Sequence, residues 1–167
     1  VILSGDFNPD HAIAKIDKAF SYMKEKPVPE YTFAPEDAIT SPVIKEVVGP
    51  DAESVTIAFR LPSNQDKDAA LANLVGSILT NGKAGLIDLN LVKKQKLLKA
   101  SAFSYLLVDH GLLYISASPS QGQSLEDVKK LLLNEIENLK KGNFDDDLIP
   151  SIVNNIKKHK IQQTESY

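Results

Sequence analysis

Apolar and polar residues alternate along this chain in two rhythms, and the switches between them outline its elements. Ala12, Ile13, Ile16, Ala19, Phe20 and Met23 recur at spacings of three and four, the mark of a helix with one apolar stripe. Asn8 suits its N-cap and Pro9 its first position, where a missing N–H costs nothing. Ahead of it, Val1-Ile2-Leu3 reads as a short strand broken by Ser4-Gly5-Asp6. One strand and one helix cannot bury such a stripe. Residues 1–25 therefore read as the C-terminal strand–helix unit of a preceding domain. Residues 26–42 hold Pro27, Pro29, Pro35 and Pro42 among Lys, Glu and Asp, a composition that favours an extended, semi-rigid linker.

After the linker the period becomes two. Val43 to Val48 reads as a short strand stopped by Gly49-Pro50, and Val55, Ile57 and Phe59 alternate with Thr56, Ala58 and Arg60 up to Pro62. Helical spacing returns at Leu71, Leu74, Val75, Ile78 and Leu79, with Asp66 or Asp68 as cap and Asn81-Gly82 as stop. A second helix is expected through Leu86, Leu89 and Val92. Two strands follow, roughly 100–108 and 112–118, joined by Asp109-His110-Gly111 as a hairpin turn in which Gly111 would supply a positive φ. Ser124-Leu125-Glu126-Asp127 has the form of a capping box. The stripe Leu125, Val128, Leu131, Leu132, Ile136 and Leu139 is the longest in the chain. Asp145, Asp146 and Asp147 then open a last helix that runs to Tyr167. Residues 43–167 thus read as ββααββαα. The fold class expected is α+β, a mainly antiparallel sheet covered by helices on one face, in a domain whose end is left open to truncation.

Composition narrows the functions open to such a chain. With 19 Lys plus Arg against 22 Asp plus Glu, the net charge is −3, which argues against nucleic acid or an anionic membrane as partner. No apolar run approaches the ~20 residues of a membrane span. Cysteine is absent, which removes thiol nucleophiles and thiolate metal sites but leaves the compartment open: bacterial periplasm and cytoplasm suit it equally. Val1 stands where a Met would begin a whole protein, and Val1-Ile2-Leu3 is too short for a signal-peptide core, so the chain reads as a piece of something longer.

No spacing assembles a catalytic centre. His11, His110 and His159 are scattered, none with a second ligand at metal spacing. Asp145–Asp147 lacks the surrounding oxygen ligands of a calcium loop, and Gly5 and Gly82 lack a phosphate-loop context. Ser101, Ser104 and Ser116 fall in strands without a nucleophile elbow. Lys93-Lys94-Gln95-Lys96 reads as a solvated helix end, and Asp109-His110 as a turn rather than a proton-transfer pair. The expectation is no catalytic and no metal-ligating residue in this chain, with substrate-binding residues undefined.

The order of segments carries a resemblance. Val1-Ile2-Leu3-Ser4-Gly5-Asp6-Phe7 with the helix behind it resembles the close of the first domain in the insulinase (pitrilysin-type) zinc peptidases and the related mitochondrial processing peptidases. The strand from Ser54 to Pro62, the helix from Ala69 to Gly82, the strand Gly111 to Ile115, the helix from Ser124 to Leu139 and the acid-led start at Phe144 to Leu148 are similar in order and spacing. The resemblance implies repeated α+β domains that close around unfolded peptide. It also implies zinc held by an inverted H-x-x-E-H helix and a later Glu, the first Glu polarising the attacking water. No H-x-x-E-H occurs in this sequence, so the resemblance puts the zinc site upstream of Val1 and makes this fragment inactive alone.

A further family segment, L-R-E-x-x-G-L-x-Y, sends its Arg and Tyr toward bound peptide. The matching stretch here is Leu91 to Lys99, with Val92 in place of Arg and Lys99 in place of Tyr. The partners implied are other domains of the same protein or a homologous subunit, and unfolded peptide. The alternative is an inactive scaffold subunit of the same superfamily, which the missing Arg and Tyr favour.

Overall fold

The computed structural model describes residues 1–167 except Tyr31, Phe33, Pro35, Ser166 and Tyr167, so the linker's Pro35 and the expected helix end at Tyr167 lie outside the described residues. The chain divides into two compact units, Val1–Val47 and Val48–Tyr167.

In the first unit a single helix, α1 (Pro9–Phe20), forms as its sequence dictates: Asn8 Oδ1 accepts the His11 N–H at 3.0 Å and Pro9 takes the first position. None of its side chains is buried, and Ile13, Phe20 and Met23 remain exposed. The expected strand at Val1-Ile2-Leu3 is absent, because no described segment of this unit offers its backbone a ladder partner. The described residues of 26–42 carry no helix or strand.

The second unit holds β1 (Val55–Leu61), α2 (Ala69–Leu79), one π-helical turn (Asp88–Val92), β2 (Lys99–Leu106), β3 (Gly111–Ser118), α3 (Leu125–Lys140) and α4 (Leu148–Glu165). The three strands form one antiparallel sheet in the order β1-β3-β2. Ile57 pairs with Ile115 and Ile115 with Ala102 across it, which fixes the register. The strand expected at 43–48 does not form: these residues are exposed and pair with no strand of the sheet, and strand composition alone does not supply a ladder partner.

One face of the sheet is packed. Leu113, Ile115 and Ala117 of β3, with Ala102 of β2, meet Leu79, Ile87, Leu91, Val128, Leu132 and Ile152 from the helices. The helix side of β2 is built from small residues, Ala100, Ala102 and Ser104, which lets α2 come close. A Cβ on Gly76 would stand 3.0 Å from the Ser104 nitrogen, and Ser104 Oγ donates to the Ala72 carbonyl at 2.6 Å. At the end of α2, Thr80 turns to an extended conformation. Its Oγ1 donates to the Ala102 carbonyl at 2.6 Å and accepts the Ala102 N–H at 2.9 Å. A hydroxyl thus stands in for a neighbouring strand on the outer edge of β2.

Two local expectations are corrected. The second helix is a π-turn instead, with Lys93 N–H bonding the Asp88 carbonyl at 2.9 Å. Of the expected stripe, Leu86 lies in the core and Val92 packs against it, while Leu89 is exposed and Ile87 and Leu91 are buried instead. Gly111 does not have a positive φ. It is required for close approach, because a Cβ there would meet the Leu106 side chain and stand 2.6 Å from the Pro62 carbonyl.

Asp68 stands at the N-cap of α2 but makes no side-chain capping bond, whereas the approaches to α3 and α4 follow the sequence. Ser124 Oγ accepts the Asp127 N–H at 3.1 Å and donates to the Asp127 carboxylate at 2.6 Å. Asp145 Oδ1 accepts the Asp147 N–H at 2.8 Å just ahead of α4. On the solvent side of α3, Lys140 hydrogen-bonds the exposed Glu137 carboxylate at 2.7 Å and lowers its pKa.

Candidate functional site

The residues the sequence singles out do not converge. His11 belongs to the first unit, where its side chain is exposed. In the second unit His110 sits in the β2–β3 connection and His159 on exposed α4. His110 Nε2 is buried without a hydrogen-bond partner, while its carbonyl accepts the Leu107 N–H at 2.9 Å. Among the described residues no three His, Cys, Asp or Glu side chains come close enough to hold a metal ion. This donor set does not fit a zinc centre. No helix among the described residues is long and apolar enough to cross a membrane.

The other candidates have structural work. Ser104 bonds α2, and Ser116 Oγ accepts from Thr56 Oγ1 at 3.4 Å. Gly82, at φ 75°, lets the Asn81–Gly85 turn wrap around Asp88, whose Oδ2 accepts the N–H groups of Asn81 and Gly82 at 2.8 Å each. Gly5, at φ 137°, belongs to the bend before α1. Lys93 Nζ donates to the Lys83 carbonyl and Lys94 Nζ to Asn90 Oδ1 at 3.3 Å, so these lysines tie the π-turn and its loop together. Asp145–Asp147 forms the turn into α4.

Leu91 and Leu97 are buried, and Val92 is half-buried against the core. Gln95 adopts a left-handed conformation, φ 55°. Lys99 emerges exposed as the first residue of β2, paired with Ser118. Together with Glu53, Ser118 and Gln121 it lines an open groove of about 600 Å³. Behind this segment Glu135, only 5% exposed, accepts from Asn90 Nδ2 at 2.9 Å and Asn138 Nδ2 at 3.1 Å. A buried carboxylate thereby pins the π-turn to α3.

Sequence reasoning missed the most distinctive surface. The alternation that puts Ala100, Ala102 and Ser104 against the helices turns Lys99, Ser101, Phe103 and Tyr105 to the opposite face, beside Leu112, Tyr114 and Ser116 of β3. Phe103 and Tyr114 stack with ring centroids 5.1 Å apart, and Tyr114 Oη lies 3.2 Å from Thr56 Oγ1. Phe103 is 49% and Tyr105 57% exposed, in a sheet whose other face is packed. Small residues at one parity and aromatics at the other were the available clue, since the larger side chains go where no helix presses.

The comparisons agree with this architecture. The family described as the Peptidase M16 inactive domain matches residues 1–156. A solved structure described as the crystal structure of a protease from Helicobacter pylori superimposes with a TM-score of 0.73 at 24% identity, covering 97% of this chain. The chain spans 40% of that protein's length. No curated protein sequence matches. With a three-stranded antiparallel sheet under its helices and a family match over nearly its whole length, the chain belongs to the M16, insulinase-type peptidase family, as a part matched by that family's inactive domain.

Proposed function

We propose that this chain forms a non-catalytic wall of a peptide-enclosing chamber in a zinc peptidase, and that the zinc site lies in sequence upstream of Val1. The match to the family's inactive domain carries this reading. The aromatic face of the sheet, left open opposite the helices, supports it: a chamber wall needs a surface that tolerates varied unfolded chains, and exposed apolar patches on stable domains mark such contacts. Other domains of the same protein or a homologous subunit would complete the enclosure.

The test compares the 167-residue chain with the longer protein that contains it. The longer protein is expected to cleave unstructured peptide, to lose that activity to a chelator and to regain it with zinc. The 167-residue chain is expected to cleave no peptide and to hold no stoichiometric zinc. Stoichiometric zinc in the shorter chain overturns the reading.

A second reading, an inactive scaffold of the same family, is favoured by one observation. Val92 is half-buried against the core, and Lys99 stands where the family pattern has Tyr, so the Arg and Tyr of that pattern are both missing. Under that reading the upstream sequence lacks an intact H-x-x-E-H and the longer protein cleaves nothing.

A further inference from the structure

The open sheet face is patterned as well as apolar. Along β2 the residues on this face are Lys99, Ser101, Phe103 and Tyr105, and the β3 neighbours of the two aromatics are Tyr114 and Leu112. The strand positions of this face include the cations Lys99 and Arg60 and no carboxylate, although the whole chain carries net −3. At the Lys99 end, Glu53 shares the groove beyond the strand with Lys99. The two ends of β2 therefore differ: an exposed ammonium at one, an aromatic cluster at the other.

We propose that this face binds an extended peptide whose apolar side chains rest on Phe103, Tyr105, Tyr114 and Leu112 while an acidic side chain reaches Lys99. The inference rests on the chamber-wall reading and names the class of peptide that wall selects. Geometry sets the spacing. Alternate residues of a strand stand about 6.7 Å apart on one face, so Lys99 lies about 13 Å from Phe103 along β2. A bound chain in extended form spans that distance with four residues. The recognised pattern is an acidic residue four positions from the first of two aromatic or large aliphatic residues that are themselves separated by one. Apolar contact supplies most of the binding, and the charge supplies the choice between acidic and basic peptides, more strongly at low salt.

The test titrates the isotope-labelled 167-residue chain with three short capped peptides. One carries Glu four residues ahead of Phe-x-Phe, the second Lys in place of that Glu, and the third Ser in place of both Phe. Backbone amide shifts are expected at 99–105 and 112–116, with affinity for the Glu peptide at least fivefold above the Lys peptide at low salt. The Ser peptide is expected to lose at least tenfold. Lys99→Glu should reverse the order of the Glu and Lys peptides. The exposed substitutions Phe103→Ser and Tyr105→Ser should each weaken both, in chains shown by their thermal midpoints to be folded. Equal affinity for the Glu and Lys peptides, no effect of Lys99→Glu, or shifts on the helices rather than the sheet overturn the proposal. A longer protein that cleaves peptide while these preferences are missing leaves the chamber-wall reading standing and removes this inference alone. A longer protein that cleaves nothing, beside a chain that shows these preferences, removes only the peptidase reading.

Discussion

Glu135 is a carboxyl group placed where the hydrophobic core would exclude it. At 5% exposure it is held by two neutral amides, from Asn90 on the π-turn and Asn138 one helical turn along α3. Lys94 in turn bonds Asn90, and Asn143 Nδ2 bonds Asn138 Oδ1 at 3.4 Å, so one carboxylate anchors a short polar network. Truncating it leaves amide donors facing a void. Glu135→Ala should cost about 1–3 kcal/mol, the usual penalty for orphaning buried donors. Glu135→Gln keeps one acceptor oxygen and should cost less. Urea unfolding of the two variants measures both. A loss in Glu135→Gln as large as in Glu135→Ala would mean that the negative charge, rather than the hydrogen-bond geometry, fixes the π-turn.

At the scale of elements, Thr80 does what a further strand would otherwise do. Its hydroxyl satisfies both backbone groups of Ala102 on the outer edge of β2. Thr80→Val keeps the shape and removes both bonds. The expected result is a loss of about 1–3 kcal/mol, together with a greater tendency to aggregate as an unpaired strand edge is uncovered. Thermal unfolding and light scattering read the two effects separately. Edge behaviour of this kind was hidden in the sequence, where Thr80 reads only as a residue between a helix and Asn81-Gly82. The helices and the three strands were legible because their periodicity is local: Asn8, Ser124 and Asp145 each make their hydrogen bonds within three residues. Val1–Leu3 and Val43–Val48 have strand composition without strand structure, since a ladder depends on a partner that composition does not name. The direction of the aromatics was equally illegible. Phe103 and Tyr105 look like core residues until Gly76 and Ser104 bring α2 against the other parity.

For the molecule as a whole, the two units differ in how much they bury, and this sets where it will open first. The second unit has a continuous core in which Leu79, Ile87, Ile115, Val128 and Leu132 are shielded from water. The first unit has a well-capped helix with no buried side chain. A twelve-residue helix is at the margin of stability in water unless its apolar face is covered, because nucleation is costly and packing supplies most helical stability. Amides of α1 in the 167-residue chain should therefore exchange with solvent close to the rate of an unfolded peptide, while those around Val128 and Leu132 in α3 exchange only through global unfolding. Hydrogen exchange followed by mass spectrometry or NMR resolves the two regions. In a longer protein the stripe of Ile13, Ile16 and Phe20 has a domain to pack on under the chamber-wall reading, and protection of α1 should rise at least a hundredfold. Protection of α1 equal to that of α3 in the short chain would show that the helix is already covered, and would remove the reason to look for its partner elsewhere.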